Sequence, residues 1–373
     1  MSFSEATMWV MAVGALIGGL DRIFGNKLGL GEKFEEGFNA MGPLALGMVG
    51  IVCLSPVISN IIAPVIAPAL SMVGADPAIF GSILANDSGG YPLAMSLAVN
   101  EQAGLYSGLI VAAMLGSTVA FSIPVGLGLI EHEDKPFFAE GMLIGMITIP
   151  IGSIAGGIMA GYNIVMVLMN TIPVAVISIL LAVGLKVAPN AMIKGCIIFG
   201  KGVVILLTIG LTAAAFEFMT GIVIIPGMAP IEEAMNIIGT IAVVLLGTFP
   251  LLSLLTKILD RPLNAIGTKI GLDATSAAGM FFSLANSIPV FKMMKDMSNR
   301  GKVVNMAWLV CSAGALGDHL GFTAGVHPEA IAPVVLSKFF GGAVAVALAL
   351  AMTRNMASEK PAGAALQSED QAS

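Results

Sequence analysis

Charge is what this sequence has least of. Charged residues make up 11% of its 373 positions, 17 basic and 23 acidic, against roughly a quarter in soluble domains. So few charges cannot clothe a water-facing surface, which excludes a soluble enzyme and a disordered chain. Histidine and cysteine are down to three each. Cys53, Cys196 and Cys311 lie in apolar surroundings without C-x-x-C spacing, so they read as small buried hydrophobes rather than redox or metal sites. No P-loop fingerprint is present, and no basic aromatic groove for nucleic acid accompanies the net charge of −6. What the chain does have is 57% apolar residues, 45 Gly, 19 Pro and 24 Met, with a mean hydropathy of +0.95. Gly and Pro are tolerated in membrane helices better than in soluble ones. The reading is an all-α polytopic membrane protein.

A membrane span needs about 20 mostly apolar residues. Uncharged stretches at 37–75, 102–130, 141–185, 202–216, 234–256, 274–291 and 303–317 supply the candidates. The stretch 141–185 is too long for one helix, and Ala160-Gly161-Tyr162-Asn163 is its natural turn. Full spans are expected to begin near residues 5, 38, 104, 139, 163, 200, 233, 302 and 329. The first run, 6–20, lacks a basic leader and a small-residue cleavage site and ends in Asp21-Arg22, so it reads as an uncleaved span. Segments 77–99 and 274–293 are apolar but interrupted, the first at Asn86-Asp87-Ser88-Gly89-Gly90-Tyr91-Pro92 and the second at Asn286-Ser287-Ile288-Pro289. Lys257, Arg261 and Lys269 precede the second segment, and Lys292, Lys295, Arg300 and Lys302 follow it. Basic flanks face the cytoplasm, so that segment should enter and leave on one side, as a re-entrant hairpin. Treating 77–99 likewise from the outside makes every basic cluster cytoplasmic. The topology is then nine spans and two hairpins, N-terminus outside and C-terminus inside. A plain count of eleven spans is the alternative, and it places several basic loops outside.

The two halves resemble each other. Phe34-Glu35-Glu36-Gly37-Phe38-Asn39-Ala40-Met41-Gly42 recurs 197 positions later as Ile231-Glu232-Glu233-Ala234-Met235-Asn236-Ile237-Ile238-Gly239. The same offset aligns Ala45 with Ala242, Gly50 with Gly247, Gly74 with Gly271 and Asp76 with Asp273. Three residues of slippage later, Leu84-Ala85-Asn86 matches Leu284-Ala285-Asn286. These matches divide the chain into a first repeat (1–161), a linking helix (162–196), a second repeat (197–352) and a polar cytoplasmic tail (353–373). Opposite starting sides would make the repeat inverted, as in secondary transporters.

Irregular backbone at membrane depth survives only when buried in protein or lining a wet cavity. The two breaks are therefore the candidate substrate site. Asp87 is a carboxylate suited to a cation, with a helix N-cap as its structural alternative. Asn86, Ser88, Asn286 and Ser287 supply hydrogen-bonding groups around it. Tyr91, Phe121 and Phe322 offer rings to a cation, although membrane aromatics more often serve packing. Asp318 and His319 fall within the expected span 302–326, and Lys338 within the last one. Asp318 and Lys338 read either as a buried ion pair or, with His319, as a proton- or ion-coupling group. His132 and His327 read as loop residues. Glu35-Glu36 and Glu232-Glu233 read as interfacial carboxylates, and Gly152-Ser153-Ile154-Ala155-Gly156-Gly157 and Gly341-Gly342 as close-contact helix faces.

At F-E-E-G-F-N-A-M-G (34–42), Asp87-Ser88-Gly89-Gly90, F-S-I-P-V (121–125), T-I-P-I-G-S-I-A-G-G (148–157) and G-D-H-L-G-F (317–322) the chain resembles the EutH family of ethanolamine utilisation membrane proteins. The resemblance runs from about residue 5 to 352. It implies a permease that takes up ethanolamine across the bacterial cytoplasmic membrane, by secondary transport or facilitated diffusion. It implies no enzyme activity, cofactor, metal or nucleic acid; the expected partners are ethanolamine and lipid, with room for a homo-oligomer. Two other classes compete. A sodium-translocating subunit of a membrane decarboxylase also uses duplicated broken helices and Asp. An intramembrane aspartyl protease would use Asp87 and Asp318, but its Y-D and G-x-G-D signatures each fail at one position here.

Overall fold

The computed structural model describes residues 3–84, 90–269 and 271–356, and these contain helix, turn and loop but no strand. The first half runs α1 (Phe3–Ile23), α2 (Leu30–Asn39), α3 (Met41–Ser71), a short 3₁₀ turn (Pro77–Phe80), α4 (Gly90–Leu97) and α5 (Glu101–Leu105). The chain after α5 widens into π-helix over Tyr106–Gly116 and Thr118–Ser122, then continues as α6 (Ile123–Leu129) and α7 (Lys135–Met159). After α8 (Ile164–Val187) come α9 (Pro189–Thr220), α10 (Ile231–Lys269), α11 (Ala274–Phe282), α12 (Ile288–Met293), α13 (Asn299–Ser312), α14 (Asp318–Val326) and α15 (Ile331–Met352). In a bilayer, helix is the way such apolar segments satisfy their own backbone polar groups.

Eight helices among the described residues are long and apolar enough to cross a membrane. They correspond to the nine expected spans less one. The expected span 302–326 is corrected: it is two shorter helices, α13 and α14, separated by a turn at 313–317. Gly314 makes that turn with φ +67°, a left-handed conformation that glycine adopts without penalty. The two amides freed there are not wasted. Gly314 N donates to Ser283 O at 2.8 Å and Leu316 N to Leu284 O at 2.9 Å. The α7–α8 turn falls where expected, with Gly161 at φ +71° and the Asn163 side chain capping Val165 and Met166 amides.

Glycines set the helix crossings. A Cβ at Gly50 would overlap the Leu207 backbone, seating α9 on α3, and a Cβ at Gly247 would overlap the Met11 backbone, seating α1 on α10. The two glycines that the sequence aligns thus admit a helix each, α9 onto α3 and α1 onto α10. At the centre α7, α13 and α15 pack together. Gly152 faces Gly341, Gly156 faces Ser337 and Gly141 faces the Val303 carbonyl, so the small-residue runs do serve close contact.

The aligned residues before each interrupted segment also act alike. Gly74 has φ +71° and Gly271 φ +76°. Two residues on, the Asp76 carboxylate accepts from Ala78 N and, across the segment, from Val99 N and Asn100 N. Asp273 accepts from Ser276 N at 2.9 Å and, across its own segment, from Ser298 N at 3.0 Å. Each aspartate ties the start of its broken segment to the end. Burial of Asp273 pushes its carboxyl up, but hydrogen bonds from Ser276 and Ser298 outweigh that and hold it below the usual carboxylate range.

One of the basic flanking residues is buried: Lys302, in the first turn of α13, has Nζ 2.5 Å from Asp134 Oδ1 and 5.5 Å from the Phe137 ring centroid. The expected interfacial carboxylates Glu35 and Glu36 pair with Arg22 and Lys33 at the surface. All three cysteines are free and buried.

Candidate functional site

The site is built where broken backbone meets broken backbone. After α11 the chain turns through 283–287, and the Asn286 side-chain oxygen caps Ile288 N at 2.8 Å to start α12. Ser283 and Leu284 carbonyls receive the Gly314 and Leu316 amides from the turn between α13 and α14. A Cβ at Gly317 would run into Ala285, so the only side chain small enough there is a hydrogen. These contacts place Asn286 and Ser287 beside the turn that launches Asp318.

The depth of this crossing follows from its neighbours. Cys311, two residues before the turn, contacts Thr148 at 3.5 Å, near the middle of α7. It also lies against Gly341, near the middle of α15. The crossing therefore sits about halfway along the long helices. A carbonyl orphaned at this depth needs a partner. Val310 O, whose usual amide partner Gly314 N is engaged elsewhere, accepts from Thr118 Oγ1 at 3.2 Å.

Three elements then converge on a buried ammonium. Lys338 of α15 is fully buried. Its Nζ donates to Ala113 O of the π-helical segment at 2.6 Å and lies 2.7 Å from His319 Nδ1. Asp318 opens α14, half-buried, with Oδ1 accepting from His319 N at 3.0 Å. Its carboxylate also gains from the positive end of that helix. Tyr91, at the start of α4, meets Phe322 of α14 edge to face, centroids 6.1 Å apart and planes at 77°.

The sequence-derived residues therefore divide. Asn286, Ser287, Asp318, His319 and Lys338 gather around the crossing, and Tyr91 stands against the same helix, α14. Phe121 lies in the π-helical segment Thr118–Ser122, and among the described residues no ring pair includes it. Asn86, Asp87 and Ser88 lie outside the described residues. Sequence reasoning missed three participants: the Ala113 carbonyl, Thr118 and the 313–317 turn. The signal for the turn was present, as Ala313-Gly314-Ala315-Leu316-Gly317 carries two glycines just before an aspartate. A π-helical carbonyl has no comparable signature.

Eight helices among the described residues that are long and apolar enough to cross a membrane, with a crossing of broken helices between them, mark a multi-pass helical membrane protein. The chain belongs to the family described as "Ethanolamine utilisation protein, EutH", which matches residues 3–352. It is 48% identical to "Probable ethanolamine permease EutH" of Listeria monocytogenes, over 95% of this chain and 96% of the relative. It is 44% identical to the protein of the same name in Escherichia coli, over 94% and 95%. It is 46% identical to "Uncharacterized protein YxeR" of Bacillus subtilis, over 95% and 96%. No solved structure matches it. None of these names supports the decarboxylase-subunit or protease alternatives.

Proposed function

We propose that this chain is a carrier that admits ethanolamine across the bacterial cytoplasmic membrane and holds its ammonium group at the crossing of broken helices. The observation that carries the reading is the backbone pairing of Ser283 and Leu284 with Gly314 and Leu316, beside Asp318 and Asn286. Discontinuous helices at mid-depth are where transporters bind substrate. The names of the relatives point the same way. Ethanolamine is an ammonium ion at neutral pH, so its site needs a carboxylate or carbonyls for the charged end. Asp87 and Asp318 are the carboxylates assigned here, with Asn86, Ser88, Asn286 and Ser287 for the hydroxyl end and Tyr91 and Phe121 as ring walls.

In this reading the protein is an inverted duplication, repeats 1–161 and 197–352 joined by α8. The paired roles of Gly50 and Gly247, Gly74 and Gly271, and Asp76 and Asp273 support the duplication. Contacts between helix ends support the topology, because they join residues assigned to the same side. Lys257 Nζ donates to Leu28 O, and Lys295 approaches Glu131, both cytoplasmic in the reading. Asn163 N donates to Gln102, both external. Segments 77–99 and 274–293 are then re-entrant, each closed at its base by an aspartate.

The test is uptake of labelled ethanolamine into vesicles holding the purified protein, at slightly acidic pH where little neutral amine leaks. Removing one partner of a shielded charge pair costs about 2–5 kcal/mol, hence tenfold or more in affinity. Asp87→Asn should abolish or greatly weaken uptake while leaving the protein folded. Near-normal uptake and affinity in that variant would refute the assignment of Asp87. Absence of ethanolamine uptake by the unmodified protein would refute the transport reading.

A further inference from the structure

A fully buried lysine is costly unless something satisfies its charge. Lys338 sits where α15, α14 and the π-helical segment meet, beside the crossing, among groups that bind an ammonium. Ala113 O and His319 Nδ1 stand 2.6 and 2.7 Å from its Nζ. Both accept hydrogen bonds from a primary ammonium, the imidazole through a lone pair when its proton resides on Nε2. Ser312 Oγ bonds to the Lys338 carbonyl at 3.1 Å, anchoring the backbone from which the side chain reaches. This is a site shaped around a primary ammonium on a flexible aliphatic stem, with Asp318 the residue before its imidazole acceptor.

We propose that Lys338 is a tethered competitor: its ammonium fills a primary-ammonium position at Ala113 O and His319 Nδ1, and an ammonium ion from solution takes those acceptors only when Lys338 withdraws. The inference rests on the transport reading for the identity of the incoming ion, but the ammonium position itself is defined by this chain's atoms. Two ammonium groups cannot share one pair of acceptors at these distances. The apparent affinity for the free ion is then reduced by the fraction of molecules in which Lys338 occupies the position. The four-carbon stem gives the lysine the freedom to leave without moving the helix.

The test uses the full chain purified in detergent, with ethanolammonium binding measured by calorimetry on the unmodified protein, Lys338→Met and Lys338→Gln. A competitor present nine-tenths of the time hides the site tenfold, so both variants should bind ethanolammonium tenfold more tightly or better. Unchanged or weaker binding in both, with each variant folded, overturns the proposal and returns Lys338 to a structural role. A second measurement is independent of ethanolamine. Lys338→Ala removes three methylenes and the nitrogen, which n-propylammonium restores. That ion should raise the melting temperature of the Ala variant and not of the unmodified protein, whereas its N-trimethyl analogue, which has no N–H, should do neither. Equal stabilisation by the two ions, or none by either, overturns the ammonium position. Propylammonium stabilisation in a protein that binds no ethanolammonium supports the position and refutes the transport reading instead.

Discussion

Replacing Lys302 with methionine removes one charge from a pair that has almost no access to water. The Lys302 and Asp134 side chains are 6% and 3% exposed, with Nζ 2.5 Å from Oδ1. Asp134 Oδ2 has no partner among the described residues, so the carboxylate already depends on this one cation. Phe137 covers the ammonium from one side. Lys302→Met keeps the length and most of the packing of the stem while leaving a buried carboxylate alone. Breaking a buried pair from one side costs about 3–5 kcal/mol. The double variant Lys302→Met with Asp134→Asn removes both charges and should recover at least about 2 kcal/mol of that loss. Unfolding in mixed detergent micelles, followed by helicity, measures Lys302→Met, Asp134→Asn and the double variant against the unmodified protein. Additivity of the two single losses within about 0.5 kcal/mol, the value expected of independent sites, would refute the assignment of a buried ion pair.

Other expectations follow from the paired features. Asp76→Ala and Asp273→Ala should each lower stability by about 2–4 kcal/mol, since each loses at least two hydrogen bonds to a carboxylate. Because the folded Asp273 carboxyl is held below its ordinary range, its contribution is complete above the unfolded value near 4 and fades as pH falls through the lower folded value. The Asp273→Ala deficit measured at pH 7 should therefore shrink on acidification, and a deficit that grows would contradict the hydrogen bonds assigned. Gly50→Leu and Gly247→Leu should both push a helix away and cost about 1–3 kcal/mol or more. Gly42→Ala and Gly239→Ala, where a Cβ meets nothing within 4 Å, should be near neutral in the same melting assay. For the topology, a cysteine at Lys295 should react with impermeant thiol reagents from the cytoplasmic face and a cysteine at Val99 from outside. Ser298, buried as the cap of α13, is a poor position for such labelling, and reaction of Lys295→Cys in intact cells would overturn the hairpin.

Composition alone was enough to make this a membrane protein, because 40 charged side chains spread over 373 residues leave no soluble alternative. Hydropathy placed eight of the expected spans on helices long and apolar enough to cross a membrane, since a bilayer imposes its thickness on the sequence. The alignment of Gly50, Gly74 and Asp76 with their counterparts was also legible, as a turn or a close crossing demands one residue type wherever it occurs. What the sequence could not supply were relations between segments far apart in the chain. The two glycines at 313–317 were a local sign of a turn, but their partners were not legible: the Ser283 and Leu284 carbonyls that accept the Gly314 and Leu316 amides lie about thirty residues away. Lys302 was legible as a basic flank but not as half of a buried pair, because its partner, Asp134, lies 168 residues away, and only packing joins them. Lys338 was recognisable as an intramembrane charge, but its acceptors were not: one is a backbone carbonyl, which every residue has, and only packing brings it to the ammonium.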